Sequence, residues 1–167
     1  MKVRTRLTLL ALAVPFAGAL AATALARYAE HEAKKEVLDR GRYLVSIGGC
    51  NDCHTPGYMQ TAGATPEDHW LTGDRIGWQG PWGTSFAPNL RLFVRTIDED
   101  GFVAMARERV FRPPMPTPTL RALTEPDLRA VYRYVQALGP AGDPAPAWVP
   151  LGDRVLAPVI VFPGTEE

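Results

Sequence analysis

The chain is organised around the stretch GRYLVSIGGCNDCHTPG, residues 41–57. The apolar and small residues before its cysteines recur at the three- or four-residue spacing of one helix face: Val37, Gly41, Leu44, Val45 and Gly48. We therefore predict a helix that starts in the polar segment from Arg27 and ends at Gly48-Gly49, since a glycine pair marks a turn. Two cysteines and a histidine follow at once, and the chain is then predicted to turn at Thr55-Pro56-Gly57.

The string Cys50-x-x-Cys53-His54 has the spacing by which c-type haem is attached to a polypeptide. Two thiols three residues apart on a tight turn can add to the two vinyl groups at one edge of the porphyrin. The imidazole that follows can then ligate the iron. The motif predicts one haem c, with Cys50 and Cys53 as thioether residues and His54 as the proximal iron ligand.

Three other interpretations of these cysteines stay open. A thioredoxin-like redox pair would need a preceding strand and a βαβ pattern, and neither is visible near the motif. A structural zinc site needs four ligands, and only His31 and His69 are available beyond the cluster. A plain Cys50–Cys53 disulfide suits an oxidising compartment but leaves the adjacent histidine unexplained.

The N-terminus has the pattern of a secretory signal. Lys2, Arg4 and Arg6 precede Leu7–Ala26, which carries no charge and ends in the A-x-A sequence Ala24-Leu25-Ala26. Residues 1–26 are therefore predicted to be a signal peptide cleaved near Ala26, or an uncleaved inner-membrane anchor formed by residues 7–26. Both alternatives put the remainder of the chain outside the cytoplasm, in the periplasm, because the basic head stays inside.

Length and composition indicate one globular domain with appendages. The chain has 167 residues, of which 46% are hydrophobic and 22% charged, which is typical of an ordinary globular protein. The 18 basic and 18 acidic residues argue against a nucleic-acid binder held by phosphate contacts. Without the three N-terminal cations, 15 basic residues remain against 18 acidic ones, so the exported part is mildly acidic.

Sequence signals divide the exported part into three segments: a helical lead-in over 27–36, a domain over 37–139 and a proline-rich strap over 140–167. Within the domain, helices are predicted over Glu99–Arg109 and over Glu125–Leu138, the second with Thr124 as its cap. Residues 57–90 are predicted to form a long ordered loop, and the prolines from 113 to 118 an extended segment. Close packing of the first and last helices is predicted at Gly41 and Tyr132.

Two stretches carry a resemblance to a known family. Residues 41–57 resemble the opening of a class I monohaem cytochrome c domain. Residues 113–140, PPMPTPTLRALTEPDLRAVYRYVQALGP, resemble its methionine-ligand loop and closing helix. The strings WLTG (70–73), GPWGT (80–84) and NLR (89–91) are similar to the middle of bacterial exported cytochromes. The resemblance implies an all-α fold of short helices and long loops around one covalently bound haem, with an N-terminal signal or anchor helix.

Met115 is the predicted distal iron ligand. It lies in the proline-rich segment where the family has its ligand loop, and prolines there hold the backbone extended and leave no amide unpaired against the haem. Met59 is too close to His54 in sequence to reach around the ring. Met105 lies in a predicted amphipathic helix, where methionine commonly fills the core. His31 and His69 are the remaining rivals.

Further expectations concern the residues around the predicted haem. His54 is expected to donate its other ring proton to a carbonyl of the Thr55-Pro56-Gly57 turn. An indole N–H or Arg75 could meet a haem propionate, or the tryptophans could simply pack in a loop-rich domain. The tryptophans concerned are Trp70, Trp78 and Trp82.

The resemblance implies a periplasmic electron carrier, and not an enzyme, with His54 and Met115 as axial ligands. Such a protein shuttles single electrons between a dehydrogenase and the respiratory chain, as a free carrier or as the cytochrome subunit of a dehydrogenase complex. One alternative is a haem enzyme or ligand sensor with an open sixth coordination site, but no distal acid or base is evident. Another is a non-haem domain built on a Cys50–Cys53 bridge.

Overall fold

The computed structural model describes the backbone of residues 3–163 and the side chains of residues 22–163. The first helix, α1, is Val3–Ile47. The chain divides into two compact units, Met1–Glu36 and Val37–Glu167. Among the described residues, no helix is long and apolar enough to cross a membrane. Most of the predicted signal or anchor lies outside the residues whose side chains are described, since only residues 22–26 of its apolar run have described side chains.

Helices supply most of the regular structure in the second unit. After α1 come α2 (Cys50–His54), a short 3-10 turn (Glu67–His69), α3 (Leu90–Phe93), α4 (Glu99–Glu108), α5 (Thr117–Ala122) and α6 (Glu125–Leu138). Their apolar faces and the loop residue Leu71 form one core, in which the largest fully buried apolar side chains are Leu71, Leu128, Val45, Val94 and Val135. Within this core, α4 and α6 pack against each other.

The predicted limits of α6 are confirmed, and local capping explains them. Thr124 accepts a hydrogen bond from the Asp127 amide (3.3 Å), and Pro126 occupies the first turn, where its missing N–H has no helical partner. Gly139, at φ 72°, ends the helix. The helix predicted over Glu99–Arg109 is confirmed to within one residue.

The crossing of α1 and α6 is confirmed at Gly41. A Cβ atom at this position would lie 2.2 Å from the Ala130 carbonyl oxygen and 2.6 Å from Tyr134 Cβ, so only glycine allows this approach. Tyr132 lies elsewhere, contrary to expectation. Its ring packs on Phe102 of α4 at 5.6 Å, because it projects from a different side of α6.

A small sheet replaces part of the predicted loop and strap. β1 (Gly77–Gly80) pairs antiparallel with β2 (Gly83–Phe86), and β3 (Val159–Val161) pairs parallel with β1. The prediction of loop over 57–90 was therefore wrong for β1 and β2, and β3 lies in the segment predicted to be a strap. The strands are four and three residues long and contain several glycines, so they show no alternating pattern. The all-α class itself stays a prediction.

Two short helices were also missed. α5 begins at Thr117, within the segment predicted to be extended, because Pro118 occupies its first turn, where proline is compatible with a helix. α3 begins after Asn89, whose side chain accepts a hydrogen bond from the Leu92 amide (3.1 Å). Both helices fall below the length at which apolar periodicity can be read.

Candidate functional site

Cys50, Cys53 and His54 share a single helical turn, α2, which follows α1 almost directly. The link is the Gly48-Gly49 pair. Gly49 adopts a left-handed backbone conformation (φ 68°), which turns the chain out of α1 and favours glycine over other residues. The turn predicted at this pair thus places both thiols and the imidazole on one short element.

Both cysteines are free thiols and partly buried. Burial raises the pKa of Cys50 to about 11, and burial also raises the pKa of Cys53. Reactive redox pairs have a lowered thiol pKa, because the thiolate is the nucleophile. The local environment of Cys50 and Cys53 therefore does not favour a thioredoxin-type redox pair.

His54 is buried, at 5% exposure, and its orientation is fixed by one hydrogen bond. Nδ1 lies 2.8 Å from the carbonyl oxygen of Pro88, which can only accept, so Nδ1 carries the proton. Burial lowers the pKa of His54, and this outweighs the opposing effect of that bond. The ring is therefore neutral near pH 7, with the lone pair on Nε2, the form in which histidine binds metal ions.

The expectation that His54 bonds to the turn at Thr55–Gly57 was wrong, and the reason lies in two later segments. Residues 71–74 run beside residues 87–90, with hydrogen bonds from Asp74 N to Ala87 O (3.1 Å) and from Leu90 N to Leu71 O (2.9 Å). The Gly73 amide donates to the His54 carbonyl at 2.8 Å. This pairing brings the Pro88 carbonyl next to the imidazole.

Thr55 anchors α2 to the same segment. Its hydroxyl donates to Asn51 Oδ1 (2.7 Å) and accepts a hydrogen bond from the Leu71 amide (2.8 Å). Asn51, Thr55 and Leu71 are each at most 1% exposed. Since buried hydrogen bonds of this kind are costly to lose, the motif is held rigidly on its histidine side.

Met115 lies on a separate segment between α4 and α5, which we call the Met115 loop (residues 109–116). Two arginines close its base. Arg107 Nη1 donates to the Arg121 carbonyl (2.7 Å), and Arg121 Nη2 donates to the Glu108 carbonyl (3.2 Å). Within the described residues, no hydrogen bond or ring contact joins this loop to α2. The structure therefore brings Cys50, Cys53 and His54 together and leaves Met115 on its own loop.

The rival distal ligands have other environments. Met105 packs against the hydrophobic core, as expected for a methionine of an amphipathic helix. Met59 is 50% exposed, and the side chains of His31 and His69 are 75% and 70% exposed. Met115 is partly buried.

The tryptophans differ in how their indole N–H groups are satisfied. Trp70 donates to the Thr65 carbonyl (2.8 Å) and Trp82 to the Trp78 carbonyl (3.2 Å), so these two have structural partners. Trp78 Nε1 and Ser85 Oγ are buried without a hydrogen-bond partner among the described residues. Arg75 is exposed.

Trp78 and Ser85 lie directly opposite each other in the β1–β2 register. Opposed residues of an antiparallel pair project from the same face of the sheet. Two unpaired polar groups therefore share one face, and each buried group without a partner costs about 1–3 kcal/mol. Such a face is suited to an acceptor such as a carboxylate.

Among the described residues, no group of three or more His, Cys, Asp or Glu side chains is placed to hold a metal ion. The chain matches no protein family, no curated protein and no solved structure in comparisons with each.

Proposed function

We propose that this protein is an exported electron carrier with one haem c, bound covalently through Cys50 and Cys53. His54 and Met115 are the axial ligands in this proposal, and residues 37–139 form a class I cytochrome c domain. The observation that carries the proposal is the state of His54. The ring is neutral, Nδ1 donates a hydrogen bond to a main-chain carbonyl, and Nε2 has no hydrogen-bond partner among the described residues, which is the arrangement typical of a metal-ligating histidine.

The two thiols support covalent attachment. They lie within one turn of His54 and form no disulfide, and burial keeps them protonated. When bound, haem c supplies a one-electron couple at its iron, and the protein supplies ligands, a dry pocket and a docking surface. Covalent attachment by Cys50 and Cys53 would retain the cofactor after export.

The face that carries Trp78 and Ser85 supports the same cofactor. A haem bears two propionate carboxylates, which accept hydrogen bonds and would pair with the buried indole N–H and hydroxyl groups. The thiols and the neutral imidazole of α2 fit the attachment of a c-type haem, and the indole and hydroxyl groups are the donors proposed for its propionates. Trp70 and Trp82, which already have carbonyl partners, are better interpreted as packing residues.

Met115 supports a closed iron site. It is the partly buried methionine outside the core, and the loop that carries it has Pro113, Pro114 and Pro116 beside it. A methionine sulfur on iron raises the reduction potential and leaves no open position for substrate. The proposed role is therefore electron transfer between a periplasmic dehydrogenase and the respiratory chain.

The absorption spectrum tests this function. Produced in a host that matures c-type cytochromes, the protein should be red and show sharp α and β bands when reduced. The ferric form should show the weak far-red band typical of methionine–iron ligation. A high-spin spectrum that shifts with carbon monoxide would instead favour the haem enzyme or sensor, and a colourless protein would contradict both.

A further inference from the structure

Positive charge is concentrated around Met115 on a chain that is otherwise acidic. Residues 27–167 contain 15 basic and 18 acidic residues, yet residues 101–124 contain four arginines and one glutamate. The charge is therefore +3 within this segment and −6 over the remainder. All four arginines are exposed, and we call them the arginine surface: Arg107, Arg109, Arg112 and Arg121.

None of these four guanidinium groups has a carboxylate partner among the described residues. Arg109 lies over the Phe111 ring (5.5 Å) and Arg112 over the Trp148 ring (4.3 Å). Elsewhere in the domain, arginines pair with acids. Arg129, for example, is within 3.1 Å of carboxylates from Glu99, Asp100 and Glu125. The arginine surface thus carries positive charge that no carboxylate of the described residues neutralises.

The arginines are braced. Arg107 and Arg121 each donate one hydrogen bond to a main-chain carbonyl at the base of the Met115 loop. Since a guanidinium has five N–H donors, each keeps further donors for a partner. Ring stacking restrains Arg109 and Arg112 in a different way. A guanidinium restrained in this way loses less conformational entropy when it forms paired hydrogen bonds with a carboxylate.

An apolar residue lies in the same segment. Val110 is 76% exposed, between Arg109 and the partly buried Phe111. Protein interfaces combine an apolar centre with a polar rim, and charge complementarity across them steers association. A rigid partner with fixed carboxylates uses such restrained cations better than a fluid layer of lipid headgroups does.

We infer that the arginine surface is the docking site for an acidic partner protein. The inference rests on the proposed function only for the redox role of that partner, which would approach beside the proposed ligand Met115. Transient redox encounters of this kind bury little area and depend on electrostatic attraction. Docking should therefore weaken as salt rises.

Poly-L-glutamate is a suitable probe, because it presents carboxylates without lipid or redox chemistry. Titrated at low ionic strength, the full-length protein should bind it, and Arg109→Glu/Arg112→Glu should weaken binding by about tenfold. These two arginines make no hydrogen bonds that close the loop, so the variant should fold. Arg109→Lys/Arg112→Lys keeps the charge and should retain most of the binding.

Arg95→Glu is the matched control. Arg95 is exposed and precedes α4, whose ten residues span about 15 Å, so it lies at the far end of that helix from Arg107. Arg95→Glu changes the net charge by the same amount as either single replacement, Arg109→Glu or Arg112→Glu, and it should weaken binding far less than either. Equal losses in Arg95→Glu and in these single replacements would show that net charge alone acts, and would overturn the proposal.

Vesicles of phosphatidylglycerol test the membrane alternative. Stronger binding to these vesicles than to poly-L-glutamate, lost in Arg109→Glu/Arg112→Glu, would replace the protein partner by a lipid surface and overturn the inference. The preferred result is binding to poly-L-glutamate without comparable binding to vesicles.

Oxidation of the reduced protein separates this inference from the proposed function. Hexacyanoferrate(III), an anion, takes up one electron from the reduced protein, as does the cation tris(phenanthroline)cobalt(III). The double variant should slow the first reaction and accelerate the second. Unchanged rates in a haem-bearing protein would overturn the docking site alone, whereas a protein without haem would refute the function and leave the poly-L-glutamate result intact.

Discussion

His54 and Met115, the two proposed axial ligands, are held in different ways. The His54 side is buried and is fixed by hydrogen bonds to main-chain atoms from residues 71–90. The Met115 loop lies between two helices and is closed by exposed arginines, with prolines limiting its backbone freedom. The rigid surroundings of His54 and the locally braced Met115 loop should respond differently to substitution.

Replacement of His54 should have the largest effect. His54→Ala removes the proposed proximal ligand and leaves a cavity where a buried ring stood, so the low-spin haem spectrum should be lost. His69→Ala is the control, because His69 is 70% exposed, and its spectrum should equal that of the parent. A low-spin spectrum that survives in His54→Ala would contradict the assignment.

Met115→Ala should have a narrower effect. Covalent haem should be retained, since the cysteines and His54 are untouched, but the far-red ferric band should disappear and the reduction potential should fall. The exposed Met59 provides the control, because Met59→Ala should leave both properties unchanged. Persistence of the band in Met115→Ala would show that another residue is the distal ligand.

Thr55→Val tests how rigidly the His54 side is built. The substitution keeps the shape but leaves the buried Leu71 amide without an acceptor, which should cost about 1–3 kcal/mol of stability. The exposed Thr61, whose hydroxyl donates to the Tyr58 carbonyl (3.0 Å), is the control. Urea unfolding of the holoprotein measures both variants. Equal costs for Thr55→Val and Thr61→Val would argue against a buried network.

Arg107→Gln tests in the same way how much the hydrogen bonds at the base of the Met115 loop contribute to stability. Its hydrogen bond to the Arg121 carbonyl is exposed, so the loss should be less than about 1 kcal/mol. A cost larger than that of Thr55→Val would reverse the comparison between the two sides.

The sequence signals that succeeded are local ones. Thr124 and Pro126 mark the start of α6, and Gly139 marks its end. The capping and the termination of this helix can therefore be predicted without knowing the fold. The Cys50–His54 spacing is likewise contained in a single turn. Such signals predicted the C-terminal end of α1, both ends of α4 and α6, and the grouping of the three motif residues.

The features that the sequence did not predict depend on distant pairing. The Pro88 carbonyl reaches His54 only because residues 71–74 and 87–90 run together, and a carbonyl has no side-chain signature. β3 pairs with β1 across about 80 residues, and three apolar residues in a proline-rich tail resemble any short packed segment. The unpaired Trp78 and Ser85 groups likewise follow from the strand register.

The smallest expected effect concerns acid stability at the start of α4. The hydrogen bond from Arg133 outweighs burial and, with that from Arg129, lowers the pKa of Glu99. The stabilisation that the Glu99 carboxylate gives the folded protein is therefore complete above its unfolded-state pKa of about 4.3. It is lost as the pH falls through the lower pKa that Glu99 has in the folded state. The parent should exceed Glu99→Gln in stability at neutral pH, and the difference should shrink below about pH 4.

Arg133→Gln is the companion variant, because Arg133 supplies the largest favourable contribution to Glu99. It should remove part of the same acid-dependent difference in urea unfolding. A difference between parent and Glu99→Gln that stays constant over this pH range would show that the contact between α4 and α6 does not depend on the Glu99 charge.

Covalent attachment of one haem is the central claim, and intact mass under denaturing conditions tests it most directly. The protein is produced together with the maturation system for c-type cytochromes, and a known cytochrome made in the same cells shows that the system works. We expect the polypeptide mass to increase by one haem, and to increase by none in Cys50→Ala/Cys53→Ala. An unmodified parent mass beside a correctly matured known cytochrome would contradict the account.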